Sequence, residues 1–312
     1  MTEFELHLGL QYEVTDRASV ILNIAPARTA SQIVTHETLA LVGAERSDWF
    51  IDRSSANRFL RVNAGKGALT IDYACQIAIV ADFSPTESLV ERPVADLPVD
   101  TVGFLLPSRY CQSDRLGEYA QAEFGHLERG YARVEAVRSW VQNHVRFETG
   151  SSSGTTSAVD TLIERRGVCR DFAHLMIALC RALSIPARFV SGIDYSDGER
   201  TDPMDFHAYV EAWLGDRWYL FDATGLCSVT DLVRIGTGRD AADAAFATVF
   251  GGVKCHAPKV LMTRVAGSKP VLLPPGQGAS TSTHAASDVG MDAEATRPTR
   301  LMQSRNQAPA IA

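Results

Sequence analysis

The sequence predicts an α+β protein: a small antiparallel β domain followed by a domain in which a helix carrying a cysteine packs on an antiparallel sheet. Three observations carry this reading. Residues 3–14 alternate with period two, placing Phe4, Leu6, Leu8, Leu10, Tyr12 and Val14 on one side. From about Ser113 onward the apolar spacing becomes helical. After Pro186 the chain returns to strand-like runs around Leu214-Gly215-Asp216-Arg217, which reads as a hairpin with a two-residue loop.

In the first hundred residues further strands are expected at Val20–Ile24, Phe59–Val62, Leu69–Tyr73 and Gln76–Val80, with Gly65-Lys66-Gly67 as a turn and no strong helix. The segment Pro93–Pro107 contains Pro93, Pro98 and Pro107 and reads as a connector. Leu116, Tyr119, Ala120, Phe124 and Leu127 then fall at helical spacing, as do Val134, Val137, Trp140, Val141 and His144 within Arg133–Val145. A Gly/Ser/Thr loop, Thr149–Ser157, precedes a short helix at Ala158–Arg165. The next helix runs from about Cys169 to Leu183, with Phe172, Leu175, Met176, Leu179 and Leu183 on one apolar stripe and Pro186 just past its end. Ala187–Ile193 is a strand, and polar Asp194–Asp205 a loop that leads to His207. From about residue 272 the chain has no periodicity and few large apolar residues, so it is expected to be disordered. The division is therefore a β domain at 1–100, a second domain at 101–266 and a mostly disordered tail at 267–312.

Composition narrows the function classes. The 312 residues are 46% hydrophobic, enough for a sizeable core. Thirty basic and 37 acidic side chains leave a net charge of −7, with no basic stripe, so no nucleic-acid partner is expected. No run of about 18 apolar residues predicts a membrane span. The start, Met1-Thr2-Glu3-Phe4-Glu5, lacks the basic and apolar regions of a secretory signal. The six cysteines are scattered with no C-x-x-C spacing, which fits thiols in a reducing, cytoplasmic setting. No ligand spacing for zinc appears, and no cofactor is expected.

The chemistry centres on Cys169. Alone, a cysteine most often reads as a small buried hydrophobe. Here it opens a helix, where the helix end favours a thiolate, and a His and an Asp follow in the order a thiol nucleophile needs. The Gly215-Asp216 loop puts Leu214 opposite Arg217 and therefore Tyr209 opposite Asp222. His207, two residues from Tyr209, then shares the face of Asp222 as its diagonal neighbour, at roughly 7–8 Å between backbones. The candidate catalytic residues are Cys169 as nucleophile, His207 as base and Asp222 as the carboxylate that orients the ring. Backbone N–H groups at the helix start, that of Cys169 included, are candidates for holding an oxyanion. His174 lies about 140° around the helix from Cys169 and reads as a core histidine. Cys180, about 16 Å along the axis, reads as packing. Asp171 is placed to cap the helix start. Trp213 and Trp218 read as a cross-strand core pair or as walls of the site.

The segments Gly167-Val168-Cys169-Arg170-Asp171-Phe172-Ala173, Ile185-Pro186-Ala187-Arg188-Phe189-Val190-Ser191-Gly192, Phe206-His207-Ala208-Tyr209-Val210-Glu211-Ala212-Trp213 and Phe221-Asp222-Ala223-Thr224, taken in order, resemble the bacterial transglutaminase-like superfamily over about residues 130–226. The resemblance implies a papain-like α+β core with a Cys-His-Asp triad at Cys169, His207 and Asp222. It also implies a β-rich N-terminal domain, as many bacterial members have. Animal cross-linking transglutaminases carry Gln-Cys-Trp at the nucleophile, whereas this chain has Val168-Cys169-Arg170, and their acidic calcium-binding segments are not recognisable. Calcium dependence is therefore not implied. The expected activity is thiol acyl transfer on a peptide or protein amide through a thioester, resolved by water in a cysteine peptidase or amidase. The alternatives are amine transfer, as in a protein-glutamine transglutaminase, and a catalytically silent binding module on the same fold.

Overall fold

The structure, a computed structural model, describes residues 1–195, 205–282 and 299–300. In chain order the strands and helices are β1 (Thr2–Leu22), β2 (Gln32–Val42), β3 (Arg46–Ile51), β4 (Arg58–Ala64), β5 (Gly67–Ile79), β6 (Asp82–Pro85), α1 (Gly117–Phe124), α2 (Tyr131–His144), β7 (Arg146–Phe147), α3 (Ala158–Glu164), β8 (Arg166–Gly167) and α4 (Cys169–Ala182). They continue with β9 (Ala187–Asp194), β10 (Phe206–Leu214), β11 (Arg217–Phe221), β12 (Leu232–Gly238), β13 (Ala247–Cys255), β14 (Lys259–Arg264), β15 (Gln277–Ser282) and β16 (Thr299–Arg300). This is the α+β class expected, with a helix-on-sheet unit joined to a β unit. Short 3₁₀ turns occupy the proline-rich connector.

β1 is the axis of the first sheet. The alternation read at residues 3–14 is interrupted by exposed Thr15, Asp16 and Arg17, where the register shifts, and resumes from Ala18 to Leu22; Phe4, Leu6, Val20 and Leu22 are fully buried. Along one edge β1 pairs with β5 and then β4; along the other it pairs with β14 and then β13. β2 and β3 extend this sheet as well. The two short strands expected at Leu69–Tyr73 and Gln76–Val80 are one, β5.

The second sheet has the order β12-β9-β10-β11-β15-β6. Helix α4 packs on it, with Phe172, Leu175, Met176 and Leu179 sharing a core with Val210, Ala212 and Phe221. Each of the larger of these side chains contributes about 1.5–3 kcal/mol by leaving water. The helix ends where the chain reverses. Ser184 adopts φ 64°, its N–H bonds Arg181 O at 2.9 Å, and the Ile185 N–H bonds Cys180 O at 3.0 Å. Both bonds satisfy terminal carbonyls, and Pro186 follows because the helix has stopped.

Strand pairing crosses residue 100 in both directions: β13 and β14 pair with β1 in the first sheet, and β6 joins the second. One sequence expectation is corrected. The segment beyond about residue 272 is not wholly without structure. β15 lies between β11 and β6, held by backbone pairing rather than by apolar side chains, so period analysis has nothing to detect. Residues 196–204, within the loop expected at Asp194–Asp205, and residues 283–298 and 301–312 of the tail lie outside the described residues. Among the described residues no helix is long and apolar enough to cross a membrane.

Two stability outcomes follow from these contacts. Leu179→Ala, at a fully buried position under the second sheet, should cost about 2–5 kcal/mol in denaturant unfolding. Ser184→Gly should gain about 1 kcal/mol, because glycine adopts the left-handed backbone of the helix end without the steric cost.

Candidate active site

Helix α4 begins where two short strands meet. β8 pairs with β7 in parallel, and Val168 follows in extended conformation. The Val168 N–H donates to Asp171 Oδ2 at 2.9 Å. Asp171, fully buried, thus caps the helix start from its third position, and its charge suits the positive helix end. Gly167 is required at this approach: a Cβ there would sit 2.7 Å from the Asp171 Cβ. Arg170 closes the arrangement from outside. Its guanidinium lies 3.2 Å from Asp171 Oδ1 and donates to Ser152 Oγ and to the Ser153 carbonyl, each at 2.6 Å. The Gly/Ser/Thr loop is thereby fastened beside the helix N-terminus.

Cys169 is half-buried at this helix start. Cys75, Cys111 and Cys180 are buried elsewhere, and burial pushes each of their thiols up to about 12. They are therefore protonated packing groups, as expected for Cys180.

The hairpin has the predicted register, with Leu214 opposite Arg217 and Val210 opposite Phe221. His207 and Asp222 consequently meet: Nε2 of His207 lies 3.1 Å from Oδ1 of Asp222. A carboxylate only accepts, so Nε2 carries the proton in this bond. The Cys169 thiol neighbours the His207 ring closely enough to favour its charged form. Burial alone would lower the His207 pKa. Its bond to Asp222 and the neighbouring Cys169 and Cys227 thiols outweigh that and raise it well above the ordinary imidazole range. Asp222 is also buried, which opposes ionisation. The His207 bond and charge, the Cys227 backbone N–H and the Thr224 hydroxyl overcome this and hold its carboxyl below the usual range.

Two residues of this site were not legible as such. Thr224 donates its backbone N–H at 3.0 Å and its hydroxyl at 2.8 Å to Asp222 Oδ1, and the Cys227 N–H donates to Asp222 Oδ2 at 2.9 Å. The Asp-x-Thr spacing, which favours side-chain bonds to backbone two residues on, is a signal for Thr224. Nothing in the sequence marks Cys227, whose thiol lies within 4.8 Å of a His207 ring nitrogen.

The remaining candidates fall outside the site. His174 is buried with its ring stacked on Tyr110 at 4.9 Å, and its Nε2 accepts the Ala241 N–H at 3.1 Å. Burial, with Arg170 and Arg181 nearby, lowers its pKa well below the usual value. Trp213 and Trp218 form the cross-strand core pair, with ring centroids 5.3 Å apart. Trp213 is six residues up the strand from His207, roughly 20 Å away, so the pair does not wall the site.

Fold and site together are those of a papain-like thiol enzyme: a cysteine at a helix start, with a histidine and an aspartate on neighbouring antiparallel strands. The comparisons agree. A sequence model of the transglutaminase-like superfamily matches residues 118–223. A crystal structure from Cytophaga hutchinsonii, of a protein named as a proposed cysteine protease, is 39% identical with a TM-score of 0.84, over 89% of this chain and 97% of that one. This chain belongs to the transglutaminase-like superfamily. Among curated proteins, an uncharacterized protein of Mycobacterium leprae is 33% identical over 117 residues, 36% of this chain and 42% of its own length. An uncharacterized protein of Mycobacterium tuberculosis is 30% identical over 142 residues, 42% of this chain and 45% of its own length. The chain thus spans less than half the length of the curated relatives it matches.

The protonation state of His207 is open to direct measurement. Its folded pKa lies above the unfolded value of about 6.5, so its contribution to stability is complete below that value and is lost as pH rises through the folded pKa. An NMR titration should show the His207 ring protonated well above pH 6.5, and Asp222→Asn should bring its midpoint down. An unmoved midpoint would show that the Asp222 bond does not set the charge of the ring.

Proposed function

We propose that this chain is a thiol acyl-transfer enzyme acting on peptide or protein amides, with Cys169 as nucleophile, His207 as general base and acid, and Asp222 as the group that orients His207. The observation that carries the reading is the position of His207, whose Nε2 lies 3.1 Å from the Asp222 carboxylate and whose charged form Cys169, at the start of α4, favours. The Asp222 bond fixes the proton on Nε2, which leaves Nδ1 to exchange a proton with the thiol.

In this mechanism the sulfur bonds to the amide carbonyl carbon and the carbonyl oxygen gains negative charge. The Cys169 N–H is one of the first four of the helix, which have no intrahelical partner, and is placed to stabilise that oxygen. The C–N bond then breaks, and His207 gives its proton to the leaving amine. A thioester remains. Water, deprotonated by His207, attacks it, releasing the acid and restoring the thiol.

Hydrolysis is the favoured resolution. The Cytophaga relative, 39% identical, carries a cysteine protease name. The Val168-Cys169-Arg170 setting also differs from the Gln-Cys-Trp of animal cross-linking enzymes, with Arg170 committed to the Ser152–Ser153 loop. Transfer to an amine is the second reading, since the same thioester accepts either nucleophile.

Cys169→Ala should abolish turnover of a peptide library, as read by mass spectrometry, while circular dichroism stays unchanged. Asp222→Asn should lower the rate by about 10²–10⁴-fold. Adding a primary amine separates the two resolutions, since amide products mark transfer and acids mark hydrolysis. At pH near 6, iodoacetamide should label Cys169 far faster than the other thiols. Equal, slow labelling, or turnover retained in Cys169→Ala, would favour a silent binding module.

A further inference from the structure

A second thiol stands at the candidate active site. After β11 the chain folds back on itself: the Gly225 N–H bonds the Asp222 carbonyl at 3.2 Å, and the Leu226 N–H bonds Thr224 Oγ1 at 3.2 Å. Gly225 adopts φ 66°, the left-handed region that favours glycine in this tight return. The turn delivers Cys227 to the histidine. One ligand atom from each of His207, Asp222 and Cys227 lies within 4.8 Å of the other two.

This set offers one imidazole nitrogen, one carboxylate oxygen and one sulfur. Such a mixture does not suit calcium or magnesium, which take oxygen ligands. It suits zinc, which accepts all three in tetrahedral geometry. Zinc bonds of about 2.0–2.3 Å place ligand atoms roughly 3.3–3.8 Å apart. The present spacing therefore closes onto an ion with side-chain movements of up to about 1 Å. Two of the donors are nearly buried, and Asp222 is held in place by Thr224 and by the Cys227 backbone. Cys227 is half-buried, leaving a side from which an ion can enter. Three protein ligands leave a fourth position for water.

We propose that His207, Asp222 and Cys227 form a site that captures divalent zinc. Binding releases the Cys227 thiol proton and the His207 Nε2 proton to solvent, leaves the ring neutral with its proton on Nδ1, and replaces the His207–Asp222 hydrogen bond with bonds from both groups to the metal. Cys169 is not among the ligands. The regulatory consequence rests on the proposed function: a His207 ring held by zinc no longer shuttles protons, so zinc is a reversible inhibitor that leaves the nucleophile itself uncoordinated.

Metal binding is measured without turnover, by titrating the purified chain with cobalt(II) and then with zinc against a chromophoric chelator. The wild-type chain and Cys169→Ala should each take up one ion and show the thiolate-to-cobalt charge-transfer band. Cys227→Ala and Cys227→Ser, with fold checked by circular dichroism, should lose that band. Their zinc affinity should fall by at least about 10-fold, the loss that follows removal of even an outer-shell partner. Wild-type affinity in both Cys227 variants, loss of the band in Cys169→Ala, or no stoichiometric uptake by the wild-type chain would overturn the proposal. Turnover by Cys169→Ala would count against the catalytic reading alone.

Discussion

The hydrogen bond between half-buried His207 and buried Asp222 is the constraint on which the site depends. Removing a carboxylate and an imidazole from water is costly, and the pair persists because each polar atom is answered. Asp222 accepts from the ring, from Thr224 and from the Cys227 backbone. The turn at Asp222–Cys227 is thus the mould in which the carboxylate is set, and the register of β10 with β11 sets the distance it must span. A carboxylate so fixed allows the ring one orientation and one proton position, which a base beside a thiol requires.

The helix end solves a related problem by other means. Cys169 must be presented at an N-terminus, yet Val168 has no side chain able to cap it. Asp171 supplies the cap from within the helix, which requires the chain to pass close at Gly167, and Arg170 neutralises the buried acid while fastening the neighbouring loop. Gly167, Arg170 and Asp171 therefore act as one device around the nucleophile position.

Much of this was legible in the sequence, for identifiable reasons. Side-chain alternation revealed β1, and the apolar stripe revealed α4, because both elements bury one face. A two-residue Gly-Asp loop admits few registers, so the meeting of His207 with Asp222 followed from the turn. Other elements left no such trace. In β2 a register shift between Thr35 and Thr38, with His36 at φ 52°, breaks the alternation. β13 is largely exposed and contains Gly251 and Gly252, so its pattern is weak. β15 is built from small polar residues, and Gly278 fits where a Cβ would press on Leu89, Tyr131 and Tyr219. Cys227 reaches His207 through a turn whose course depends on the fold, and spacing along the chain does not encode it.

The exchange of strands between the two sheets ties their fates together. β6 leaves the first sheet's segment to close the second sheet, and β13 and β14 travel the opposite way. Each sheet is thus completed by backbone that the other half of the chain supplies. Neither layer constitutes an autonomous folding unit, and melting of one exposes unpaired edges in its neighbour. The candidate site is accordingly seated on a frame whose two layers share backbone, so shearing one against the other would have to break strand pairing, not merely bend a linker.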